Sequence, residues 1–100
     1  MTSPDDACVP FEYAGRRWEI PVGLIRLRQR WDEADAQCHD LQRRTDEGSR
    51  AAYDEAWDRR MEATLRLSHE PWLTEHEFGR HNADAALRAC ARAATIETMP

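Results

Sequence analysis

Lysine is missing altogether from this 100-residue chain, and every one of its 14 Lys-or-Arg cations is arginine. Arginine favours bidentate pairing with carboxylates, but its replacement of lysine across a whole chain reads as high-GC codon bias rather than as chemistry. Large aliphatic side chains are also scarce: Leu, Ile, Val and Phe together number 14, against 15 alanines. A chain so short of bulk, with a high net charge, falls in the range of disordered sequences. Four tryptophans, two tyrosines and three methionines pull it back to the folded class, because a large ring buries roughly 150–250 Å². One small domain with a thin core is expected. Ordering it costs on the order of 1.5 kcal/mol of entropy per residue, so the chain is a candidate for completion by a partner or a second copy.

Glycine is limited to four residues. There is no P-loop, no dinucleotide-binding turn and no nucleophile elbow. A basic surplus is also lacking: the net charge of −5 and a pI near 5.3 argue against nucleic-acid or anionic-membrane partners. No apolar run approaches the length of a membrane span, and the start from Met1 to Asp6 has neither a positive leader nor an apolar stretch. A cytoplasmic protein with no membrane partner is expected. Cys8, Cys38 and Cys90 are odd in number and widely spaced, which reads as small hydrophobes in a reducing compartment, with Cys8 in a mobile tail.

What the chain does have is periodicity. Residues 1–8 read as a disordered lead and 9–97 as a single small helical domain. Val9, Phe11 and Tyr13 alternate with polar positions, Ala14-Gly15 offers a turn, and Trp18 and Ile20 alternate again, so a hairpin is predicted with Tyr13 opposite Arg16, Phe11 opposite Trp18 and Val9 opposite Ile20. From Val22 the period changes. Leu24, Leu27, Trp31, Ala34, Cys38, Leu41 and Thr45 form a heptad seam on a helix of roughly 23 residues, ending at Asp46-Glu47-Gly48-Ser49. Arg28 with Asp32, and Asp40 with Arg44, lace its exposed face.

Ser49 is placed to cap a second helix with the stripe Tyr53, Ala56, Trp57, Met61, Thr64, Leu65 and Leu67, with Arg60 set inside it, stopped near His69 by Pro71. Glu55 with Arg59 and Glu62 with Arg66 lie outside. The short loop makes these two helices an antiparallel, coiled-coil-like hairpin. Thr74 to Glu77 reads as a capping box, with Leu73 and Phe78 at the staple positions, starting a helix from Glu75 to about Thr95. That helix carries two stripes, Ala83, Ala86, Leu87, Cys90 and Ala94 on one side and Phe78, Ala85, Ala89 and Ile96 on the other.

Chemistry has few footholds. His76 and His81 are five residues apart and diverge by about 140° on a helix, so they do not chelate together. His69 and Cys90 are the groups that folding would have to bring to them. Cys38 and His39 are sequence neighbours and diverge by about 100°, which is no dyad. No cofactor, no metal and no catalytic residue is expected. Arg16, Arg17, Arg26, Arg28 and Arg30 lie near Trp18 and Trp31, but Asp32, Glu33 and Asp35 follow at once, and a solvated face with internal ion pairs is preferred to a nucleic-acid patch.

The opening from Phe11 through Gly15-Arg16-Arg17-Trp18 to Ile20-Pro21, followed by Leu24-Ile25 and Trp31-Asp32, resembles that of small uncharacterised helical proteins of high-GC actinobacteria and their mobile elements. The Pro71-Trp72 loop and Arg80-His81 through Ala86-Leu87-Arg88 fit the same pattern. The resemblance covers most of the chain and implies no particular activity. The opening alone is also similar to that of some tail-assembly chaperones of actinobacterial phages.

The expectation is thus a mainly α fold, an N-terminal β-hairpin followed by three helices of which the first two form an antiparallel helical hairpin. The expected role is a non-enzymatic module that contacts a protein partner or another copy through helix faces. Trp31, Trp57 and Trp72 are the candidate anchors, and Ala83, Ala86, Leu87, Cys90 and Ala94 a candidate contact strip. A small regulatory or nucleic-acid-associated factor, and a chaperone-like accessory of a mobile element or phage, are the alternatives.

Overall fold

The computed structural model describes residues 7–44 and 46–93. The lead before Ala7, the seam position Thr45, the strip residue Ala94, the stripe residue Ile96 and the expected helix end at Thr95 lie outside the described residues. The chain runs β1 (Cys8–Tyr13), β2 (Arg16–Pro21), α1 (Val22–Gln42), α2 (Glu47–Ser68), a single turn α3 (Pro71–Thr74) and α4 (Arg80–Ala93). It is a mainly α fold with an N-terminal antiparallel hairpin, in which α1 and α2 pack closely as a helical hairpin.

The β-hairpin has the expected register, Phe11 opposite Trp18 and Val9 opposite Ile20. Alternation explains it: a one-residue slip would turn Trp18 and Ile20, both buried, out to water. The turn places Ala14 at φ 53° and Gly15 at φ 75°, both in the left-handed region that the mirror-image two-residue turn requires. Alanine adopts that region at a cost of roughly 1–2 kcal/mol, whereas asparagine tolerates it. Ala14→Asn is therefore expected to raise stability by about 0.5–1 kcal/mol, read as a higher urea midpoint with an unchanged slope. Cys8 opens β1 opposite Pro21, so it is part of the sheet rather than of a tail.

Pro21 ends β2 and leads directly into α1, whose first amide, that of Val22, donates to the Ala7 carbonyl at 2.8 Å. One face of α1 carries the seam toward α2. The α1–α2 pairs run in opposite directions: Trp31 meets Thr64 near the base, and Gln42 meets Tyr53 near the tip. A second face, with Val22 and Ile25 fully buried, lies outside the heptad seam, so the base of α1 is covered on two sides.

The second helix begins at Glu47 and not after Ser49. Asp46 is the N-cap residue, and Ser49 lies inside the first turn, buried, its hydroxyl donating to the Asp46 carboxylate. That hydrogen bond holds the Asp46 carboxyl below the usual carboxylate range.

The larger departure is at the third helix. The segment expected to start it, Thr74 to Glu77, instead closes α3 and turns. Pro71 supplies the preset φ for a first helical position, the Leu73 and Thr74 amides both donate to the Glu70 carbonyl at 3.0 Å, and the Thr74 hydroxyl points back to that same oxygen at 3.2 Å. Thr74 is thus a C-terminal residue and not a cap. Gly79 at φ 89° reverses the chain, and α4 starts one residue later.

The core lies at one end of the elongated molecule, which measures 46 × 27 × 24 Å. Trp18 and Ile20 from the hairpin, Leu24, Ile25 and Leu27 from the base of α1, Ala63 from α2, Leu73 from α3 and the inner face of α4 make it up. Among the described residues, none between Trp31 and Ala63 belongs to that cluster. The far halves of α1 and α2 extend beyond it as a two-helix arm, held together by small buried groups: Ala34, Cys38, Ser49 and Ala56.

Candidate functional site

Of the three tryptophans expected as anchors, two are already engaged within the chain. The Trp31 indole donates to the Thr64 hydroxyl at 2.7 Å, and the Arg28 guanidinium lies over its ring at 4.6 Å. Trp72 donates to the Glu19 carbonyl at 3.1 Å, tying α3 to the hairpin. It also closes an aromatic group in which the His76 ring lies 4.9 Å from Trp18 and 4.7 Å from Trp72. His76 Nδ1 accepts from the Phe78 amide at 3.2 Å, and Arg16 covers Phe78 at 4.4 Å. These contacts make Trp72 a plug at the base of the fold.

Trp57 is different. It is 42% exposed, and Leu65, two turns on, is 56% exposed. The expected α2 stripe splits into two rows. Ala56 and Leu67 face inward, together with Ala63, which the expected stripe did not include. Trp57, Met61 and Leu65, spaced by four, follow a helix of 3.6 residues per turn onto the outward side, with Met61 half-buried. The split was legible in residue size: small side chains at i, i+7 fit a close helix approach, and large ones at i, i+4, i+8 stand beside them.

The expected contact strip is occupied from within. Ala83, Ala86, Leu87 and Cys90 are buried in the core, on a helix packed against α1, α3 and β1. A thin core needs its smallest side chains where helices approach most closely, so the alanine face is used inside the chain. Burial also pushes the Cys90 thiol up from its usual range, keeping it protonated and unreactive.

The arginines divide by side. Arg28, expected on an exposed face, is largely buried; it makes the expected pair with Asp32 within α1 at 3.3 Å and reaches Asp84 of α4 at 3.9 Å. Arg60 meets Asp35 at 2.8 Å across the arm. Arg17 pairs with Glu19 in β2. Arg26 and Arg30 are on the far side of α1 from Arg28, so the five arginines clustered in sequence do not form one patch. On that far side runs a cleft between α1 and α2. Its deeper part, about 440 Å³, has Leu27, Ala34 and Ala63 among its lining and Arg30, Arg59 and Arg66 around them. A wider part of about 760 Å³ continues past Leu24 and Arg26 to Leu65 and His69. Arg59 bonds Gln37 at 2.5 Å, rather than the expected Glu55, and Arg66 pairs with Glu62 at 3.1 Å. This cleft was missed in the sequence, because its arginines come from two helices and only their pairing brings them together.

Among the described residues no three His, Cys, Asp or Glu side chains converge where a metal ion could sit, and His81, expected beside Glu77 or Asp84, stands exposed while Asp84 engages Arg28 and Arg88. No described helix is long and apolar enough to cross a membrane. Comparisons with protein families, curated proteins and solved structures give no match.

Proposed function

We propose that this protein is a non-enzymatic interaction module that docks another protein chain on the outward face of α2. The observation that carries the reading is the ridge of Trp57, Met61 and Leu65, which leaves two large apolar side chains in water on a helix whose inner face is already packed. Fully burying such side chains stabilises by about 1.5–3 kcal/mol each, and tryptophan is enriched among the residues that dominate interface energies. In a chain with so little apolar bulk, two large apolar side chains outside the core are available for a use other than folding.

The test places a photo-crosslinking amino acid at 57, at 65 and, as a control, at the exposed loop position 43, in the cells from which the chain comes. Positions 57 and 65 are expected to capture the same protein species and position 43 none. The double variant Trp57→Glu/Leu65→Glu should keep its unfolding free energy within about 0.5 kcal/mol, as surface substitutions do, and lose the captured species. Absence of a crosslink at both ridge positions overturns the reading.

A further inference from the structure

The outward side of α2 carries a row of acid beside the apolar ridge. At about 100° per residue, Glu47, Asp54, Asp58 and Leu65 fall in one narrow sector of the helix, with Glu55 and Glu62 on one flank and Trp57 and Met61 on the other. All five carboxylates are exposed. Glu62 pairs with Arg66, and the other four have no ion-pair partner among the described residues. The first-turn position of Glu47 suits the helix dipole, but that effect fades within a turn and leaves Asp54, Glu55 and Asp58 without a use inside the chain. The arginines of α2 are turned elsewhere. Arg60 meets Asp35 and Arg59 meets Gln37 of α1, while Arg50 stands two turns before Trp57, toward the tip of the arm.

We infer that the occupant of this face is a basic amphipathic helix of another protein, its apolar row laid against Trp57, Met61 and Leu65 and its Lys or Arg side chains beside Asp54 and Asp58. This rests on the docking face proposed above and names its partner's chemistry. Spacing selects a helix: side chains at i, i+4 and i+8 form the ridge that fits the groove of a facing helix in the commonest packing class. Charge selects a basic one. Unpaired carboxylates gain from opposite charge set beside them, and complementary potentials also speed the encounter and fix the register. Nucleic acids and anionic membranes carry the sign of the row itself and are repelled by it.

Fluorescence anisotropy with two labelled helical peptides of about 18 residues, or about five turns, tests this on the full-length chain. Both peptides carry leucine along one face, flanked by lysine in the first and by glutamate in the second. The lysine peptide is expected to bind and the glutamate peptide not, with an affinity that falls as salt is added. Asp54→Arg/Asp58→Arg should weaken the lysine peptide by at least about tenfold and bring the glutamate peptide into binding, since like charges then face each other only with the first. Asp54→Asn/Asp58→Asn, which removes the charges without reversing them, serves if that variant fails to fold and should weaken the lysine peptide in the same direction. Trp57→Ala should also weaken it by at least about tenfold, which attraction to the acidic chain as a whole would not show. No binding of the lysine peptide overturns the proposal, as does equal binding of both peptides, or binding that the changes at 54, 57 and 58 leave intact. If position 57 then still crosslinks another protein, or a second copy of this chain, the docking face stands and only its occupant changes; with no crosslink, both fail.

Discussion

Replacing Trp18 with alanine is expected to remove about 3–5 kcal/mol of folding free energy, the range for truncating a buried large aromatic. Trp18 is only 2% exposed. Its ring joins the hairpin to α3 and to the turn that follows it. It faces Phe11 across the hairpin, Trp72 of α3 at 6.2 Å, and His76 and Phe78 of the following turn at 4.9 and 5.4 Å. Its indole N–H donates to the Tyr13 carbonyl at 3.1 Å, so alanine leaves an empty volume and also a carbonyl without that donor. Domains of this size have roughly 0.05–0.15 kcal/mol of stability per residue, about 5–15 kcal/mol in all, so the loss takes from about a fifth to nearly all of it. Urea unfolding followed by far-UV circular dichroism should show Trp18→Ala unfolding at a much lower midpoint than wild type. Trp57→Ala, which removes a ring of the same size from the surface, should stay within about 1 kcal/mol of wild type. A Trp18→Ala protein that loses less than about 1 kcal/mol would remove Trp18 from the centre of this core.

The hairpin was readable because every signal in it agreed: apolar alternation on both sides of a turn allows one register, and Trp18 and Ile20 pin it. The α1–α2 hairpin was readable for the same reason, from a heptad seam and a short connection. The third helix was not. Thr74 and Glu77 satisfy a local capping pattern, yet a few tenths to two kcal/mol of capping competes with the burial of Leu73 and the docking of Trp72 on the Glu19 carbonyl. Once Pro71 starts a turn there, Thr74 falls at its end, and Gly79, with its positive φ, becomes the point from which α4 can begin. That competition is between a local pattern and a contact 53 residues away in sequence, which no local reading contains. The candidate site divides in the same manner. Trp57 is expected as an anchor and Leu65 only as a member of the α2 stripe, since whether a stripe residue faces in or out depends on how wide the covered face is. On α2 the buried Ala56 and Ala63 face α1, beside the polar contacts of Tyr53, Arg60 and Thr64. The arginine-lined cleft exists only once α1 and α2 have paired, and so has no linear signature.

Leu87→Ala is expected to cost about 2–5 kcal/mol, and it decides what the alanine face of α4 is for. Leu87 has no exposed surface, and Ala83, Ala86 and Cys90 around it are equally enclosed. It is the largest side chain on the inner face of a helix otherwise built from alanine and cysteine, so neighbours this small offer few atoms that could move to fill the space it leaves. The cost is accordingly placed in the upper part of that range. A strip serving an outside partner would behave in the opposite way: shortening Leu87 would leave the isolated chain as stable as before and weaken only a complex. Ala85→Leu gives the matching control from the half-buried side of the same helix. Added bulk there should change stability by no more than about 0.5 kcal/mol, whereas the same substitution at Ala86 overpacks an enclosed position and should cost about 1–3 kcal/mol. Denaturation midpoints for the three variants, measured on the chain alone, separate the two roles. A large loss for Leu87→Ala and Ala86→Leu with none for Ala85→Leu assigns the face to the core, and a flat series would return it to the surface.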